Sequence, residues 1–76
     1  MNRFYLLYED WELAERAAVA AELCVSQHLD AWCDGAGRAP SPDEVAAAKG
    51  LRRRARECLH VLKAHLSQVR EEAPVI

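Results

Sequence analysis

Along the first half of the chain the apolar positions recur in steps of three and four. Leu7, Trp11, Ala14, Ala18, Ala21 and Val25 set the rhythm, and His28 and Trp32 continue it. That is the spacing of one face of an α-helix. Leu13, Ala17, Ala20, Cys24 and Ala31 widen the stripe on one side, while Glu12, Glu15, Arg16, Glu22, Ser26, Gln27 and Asp30 fall mostly on the far side. Asn2 and Asp10 are both suitable caps, and the run "FYLLY" has β propensity. The helix is expected to start at about residue 3.

Past the middle of the chain a second stripe follows: Val45, Ala48, Leu51, Ala55, Cys58, Leu59, Leu62, Leu66 and Val69. It carries about three apolar positions per heptad, wider than the two of a simple coiled-coil seam. Between the stripes lies "DGAGRAPSPDE", residues 34–44. Gly35 and Gly37 suit the left-handed conformation that ends a helix. Ser41 is placed to cap the next helix, Pro42 fits its first position, and Asp43 complements the dipole. Glu44 is placed to complete a capping box. Pro74 puts the end of the second helix near Glu71 or Glu72.

The pattern therefore predicts an all-α chain of two long antiparallel helices. Helix 1 runs over about 3–34, the loop over 35–41 and helix 2 over about 42–72, forming a single helical-hairpin domain across residues 1–76. Two helices with such broad apolar faces do not hide them on each other alone. Two hairpins back to back, as a homodimeric four-helix bundle, are the economical arrangement. Length and composition strengthen that expectation. A chain of 76 residues buries only roughly 60% of its unfolded surface as a monomer, yet 51% of its residues are hydrophobic. The expected self-contact or partner interface is Leu7, Trp11, Ala14, Ala18, Ala21, Val25, His28, Leu51, Cys58, Leu62 and Leu66.

Charge is unevenly distributed along the chain. The net charge is −2, which gives no general attraction to DNA or anionic membranes. Residues 1–34 carry −5, however, and residues 43–76 carry +2. On a helical wheel Lys49, Arg52, Arg56, Lys63 and Arg70 line one flank of helix 2, with Arg53 further round and Arg54 pointing elsewhere. Folding the hairpin about residue 38 brings Arg56 level with Glu22, Lys49 with Asp30, Lys63 with Glu15, and Arg70 near Glu9 or Asp10. The ridge is thus expected to be paired with helix 1. Lys49, Arg52, Arg53, Arg56 and Lys63 are the candidate contacts if it instead meets nucleic acid or an acidic partner. No aromatic residues interleave with them to stack on bases.

Candidate chemistry is thin. Cys24 and His28 share a helix face but lack two further ligands for a structural zinc site, so no metal or other cofactor is expected. Cys24 and Cys58 read as small core residues. His28 reads as a hydrogen-bonded core or interface residue. A Cys58–His28 catalytic pair lacks a third orienting group, and "GAGRAP" is not a phosphate loop. Phe4, Tyr5, Tyr8 and Trp11 at the start of helix 1 and Trp32 at the loop end are expected to plug the two ends of the bundle; the alternative is that Tyr5, Leu6 and Tyr8 form an exposed patch that anchors a partner.

Three cysteines with no CxxC spacing point to a reducing compartment. Only five apolar residues open the chain before acid arrives, too few for a signal peptide or membrane span. The expected function is that of a small non-catalytic cytoplasmic interaction protein: a regulator, adaptor or chaperone-like accessory subunit acting through a bundle surface. Its partner is itself or another helical protein, with no membrane and no small-molecule substrate. The alternative is an RNA- or DNA-binding hairpin dimer using the Lys49/Arg52/Arg56/Lys63 ridge.

Overall fold

A computed structural model describes residues 2–72, with side chains for residues 2–70. Its described residues form two helices, α1 (Arg3–Cys33) and α2 (Pro42–Glu72), packed antiparallel with no strand. At 31 residues each, the helices are about 46 Å long.

Both starts are capped by side chains. Asn2 stands in an extended conformation, and its Oδ1 accepts from the Phe4 backbone N–H at 3.0 Å, so "FYLLY" is helical from its first residue. At α2 the Ser41 Oγ accepts from the Glu44 N–H at 3.1 Å, which satisfies one of the orphan donors of the first turn. The reciprocal half of the capping box is not made. The Glu44 carboxylate reaches across to α1 instead, where Oε2 lies 2.7 Å from His28 Nδ1.

The end of α1 is a Schellman turn. The Gly35 N–H bonds the Trp32 carbonyl at 3.0 Å and the Ala36 N–H bonds the Ala31 carbonyl at 2.8 Å. Gly35 takes φ +74°, which costs a side-chain-bearing residue more than it costs glycine. The chain then folds back along the helix it has just left. A Cβ at Gly37 would stand only 3.3 Å from the Ala31 Cβ.

That return corrects the expected register. The loop has retraced part of the last turn of α1 before α2 begins, so α2 sits about one helical turn away from the position that symmetric folding about residue 38 gives. Glu22 consequently meets Arg52 and not Arg56. The Lys49–Asp30 and Lys63–Glu15 pairs do not form, and Glu15 too is bound by Arg52.

The seam between the helices is small in volume. Ala14, Ala18, Ala48, Ala55 and Leu62 are the buried apolar residues, with Leu51 and Cys58 packed at the edge of the central alanines. Alanine at the crossing lets the helices approach toward the lower end of the usual 8–10 Å range. It also limits how much apolar surface the contact removes from water. No large side chain is fully buried among the described residues.

Candidate functional site

Two long flanks run beside the alanine seam, and they differ in chemistry. The charged flank is centred on Arg52. Its Nε and Nη2 donate to the two carboxylate oxygens of Glu22, at 3.1 and 2.6 Å. Its Nη1 donates to Glu15 Oε1 at 2.7 Å. Glu15 and Glu22 stand two turns apart on α1, and the planar guanidinium bridges them in a way an ammonium group does not. The Arg52 hydrogen bonds hold the Glu22 carboxyl below the ordinary carboxylate range, and the charges of Arg52 and Arg56 act in the same direction. Bonding to Glu22 and Glu15 raises the Arg52 pKa in turn.

Beside this cluster an open groove of about 580 Å³ runs between the helices. Val25, Val45 and Ala48 contribute its apolar lining, and Lys49, Arg52, Arg53, Arg56 and Glu22 its charges. Of the five candidate contacts Lys49, Arg52, Arg53, Arg56 and Lys63, all but Lys63 therefore line one groove. Lys63 lies elsewhere, beside Leu66 and Arg70. Among the described residues Lys49, Arg53, Arg56 and Lys63 make no ion pair within 4.0 Å.

The second flank is apolar. Leu6, Leu13, Ala17, Ala20 and Cys24 lie along α1 and are all exposed. Leu13 is the most exposed large apolar side chain, at 67%. In the sequence Leu13, Ala17, Ala20 and Cys24 look like a widening of the core stripe, and Leu6 like part of an exposed patch. The α1–α2 contact covers only the middle of that stripe, because two helices in contact shield a limited arc of each other. Cys24 is accordingly a surface residue and not the core residue expected of it.

The residues read as an interface divide in the same way. Ala14, Ala18 and Leu62 are buried inside the hairpin, and Leu7, Trp11, Ala21, Val25, Leu51 and Cys58 are half-buried along its seam. Leu66 is exposed. His28 is also exposed and forms a hydrogen-bonding contact with the Glu44 carboxylate near the loop, rather than being enclosed by apolar neighbours. The physical cause is again the register, which sets the first turn of α2 beside it. Cys58 packs against the central alanines, well removed from His28, so the thiol–imidazole pair is not assembled. Among the described residues no three His, Cys, Asp or Glu side chains gather as a metal site, and no helix is long and apolar enough to cross a membrane.

The aromatic residues make a ladder up the start of α1. Phe4 meets Tyr5 edge-on with ring centres 5.4 Å apart, and Tyr8 meets Trp11 at 5.7 Å. Trp11 is half-buried, and its Nε1 is shut from solvent without an acceptor in the protein. Trp32 is 52% exposed and does not plug the loop end. Tyr5, Leu6 and Tyr8 are all exposed. Comparison with family models, with curated proteins and with solved structures finds no match to this chain.

Proposed function

We propose that this chain is a small non-catalytic interaction protein whose hairpin completes its core by self-association into a four-helix bundle, and that the bundle surface then engages other molecules. The observation that carries this reading is the imbalance between inside and outside. The buried set is four alanines and one leucine, while large apolar side chains from Tyr5 to Val69 stand exposed. Exposed apolar surface on that scale is the usual mark of an association surface.

The total surface points the same way. The chain exposes 6260 Å², against about 4,700 Å² for a compact chain of 8.5 kDa. The excess goes with the open two-helix shape, which leaves both flanks of the seam available to a second chain. Sedimentation equilibrium over a wide concentration range, with circular dichroism on the same samples, tests the proposal. A dimer with concentration-dependent melting is expected; a stably helical monomer at every concentration overturns it.

A second reading, nucleic-acid binding, draws support from the unpaired cations of the groove. Arg52 is already bonded to two carboxylates, so Lys49, Arg53 and Arg56 are the residues that would meet phosphates. Binding of RNA and duplex DNA at low salt, weakened in an Arg53→Glu/Arg56→Glu variant and falling steeply with salt, is what this reading requires. The absence of binding at low salt ends it.

A further inference from the structure

The reading of a self-associating hairpin leaves open which face a second copy covers and in which direction it lies. The exposed flank of α1 holds a heptad seam in alternating steps of four and three: Leu6, Asp10, Leu13, Ala17, Ala20, Cys24, Gln27 and Ala31. All but Ala31 are exposed, and Ala31 is covered from its own loop by Gly37. The seam reads symmetrically about the point between Ala18 and Val19. Turning the helix end for end about that point lays Asp10 on Gln27, Leu13 on Cys24 and Ala17 on Ala20, and brings Leu6 to the loop around Gly37 that covers Ala31. Leu13 then meets a small residue, the two polar positions meet each other, and alanine lies on alanine where the helices come closest.

We infer that this seam is the contact between two copies of the chain, with α1 packed antiparallel on α1 of the second copy about the midpoint of the helix. The inference rests on self-association as proposed above and adds its face, direction and register. Charge supports the direction. In this register Asp10 comes beside Gln27 and His28 of the second copy, so that carboxylate meets amide and imidazole. Parallel pairing in register would set Asp10 on Asp10 and Leu13 on Leu13. The ends of α1 agree with this. Its first turn holds Arg3 and no acid, and its last turn holds Asp30 and no base, which is the less favourable arrangement for the dipole of a lone helix. Antiparallel packing sets the positive end of each helix beside the negative end of the other, with Arg3 level with Asp34.

Val61 of α2, also exposed, lies on the same side of the hairpin and extends the apolar face. The opposite flank of α1 is less suited, because the Glu12–Arg16 ion pair at 2.6 Å interrupts the run from Tyr5 and Tyr8 to Val19 and Leu23.

Disulfide trapping tests face and register together. In a chain carrying Cys33→Ser and Cys58→Ser, Cys24 is the only thiol. In the antiparallel register the two Cys24 residues are eleven positions apart along the seam, about 16 Å, beyond the limit of about 7 Å between Cα atoms for a disulfide. Adding Leu13→Cys places a thiol opposite Cys24 of the second copy. Leu13 lies outside the hairpin core, so its replacement leaves the fold intact, and within one chain residues 13 and 24 are too far apart to bridge.

Under oxidised glutathione the Leu13→Cys chain is expected to become a covalent dimer at protein concentrations where the Cys24-only chain and a Val19→Cys control do not. Equally efficient trapping of the Cys24-only chain, or of the Val19→Cys control, overturns the inference. A chain that sediments as a dimer yet gives no Leu13→Cys trapping overturns the register while self-association stands. A monomer by sedimentation that also gives no trapping removes both.

Discussion

Arg52 grips Glu22 through two parallel hydrogen bonds and reaches Glu15 with its remaining arm, tying α2 to two separate turns of α1. One arginine thereby fixes how far the helices slide along each other. An alanine seam does this poorly, since one alanine is much like the next.

Arg52→Lys keeps the charge but loses the fork, and Arg52→Met keeps much of the stem and loses both. Lys is expected to melt below wild type and Met below Lys, as read by circular dichroism, with the wild-type advantage shrinking as salt is raised. The pH dependence has a definite sign. The Glu22 carboxyl titrates lower in the folded chain than in the unfolded one. Its contribution is therefore complete at neutral pH and is lost as pH falls through and below the ordinary carboxylate range. Glu22→Gln should flatten the acid limb of the stability curve while leaving the shape near pH 7 unchanged.

The glycines separate into two kinds. Gly35 stands at φ +74° and ends α1, so Gly35→Ala is expected to destabilise by about 1 kcal/mol. Gly50 lies inside α2 with nothing within 4 Å of where a Cβ would be. There glycine only weakens the helix, and Gly50→Ala should stabilise by about 0.5–1 kcal/mol. Chemical denaturation of the two variants side by side checks both signs; equal signs would contradict the assignment of either position.

At the start of α2, Ser41 and Glu44 act separately and not as a reciprocal box. Ser41→Ala removes the acceptor for the Glu44 N–H and is expected to cost about 1 kcal/mol. Glu44 is bonded to His28 across the hairpin. A double-mutant cycle of Glu44→Gln and His28→Ala should therefore show coupling, of about 0.2–1 kcal/mol for so exposed a pair. A Glu44/Ser41 cycle should show less. If Glu44 coupled to Ser41 alone, the cross-helix contact would be the wrong description.

Much of this architecture is legible in the chain itself. Both helices, their caps at Asn2 and Ser41, and the break at Gly35 follow from local chemistry, in which each residue's preference concerns only its immediate neighbours. The register was not legible, because it depends on how the loop lies against Ala31, a contact between residues that no periodicity encodes. One turn of difference exchanged Arg56 for Arg52 as the partner of Glu22 and moved His28 beside Glu44. The breadth of the α1 stripe was visible. That α2 would cover its centre and leave Leu13, Ala17 and Cys24 outside was not, since a wheel shows which residues share a face and not which arc a neighbour shields.

The neighbouring alanines 17 and 18 provide the sharpest separation of hairpin from assembly. Ala18 is 0% exposed at the centre of the α1–α2 seam, whereas Ala17, one residue earlier, is exposed on the apolar flank. Ala18→Leu forces three extra carbons between helices already in close contact and is expected to cost about 1–3 kcal/mol. For a chain of this size that lowers the melting temperature by roughly 4–8 °C per kcal/mol at any concentration. Ala17→Leu leaves the hairpin seam untouched and adds the same bulk where Ala20 of a second copy would lie. Its melting should match wild type in dilute solution and fall behind as concentration rises, because only the assembly is impaired. Sedimentation should show the weaker association directly. If both variants melt low in dilute solution, Ala17 belongs to the hairpin core and the division into two faces is wrong.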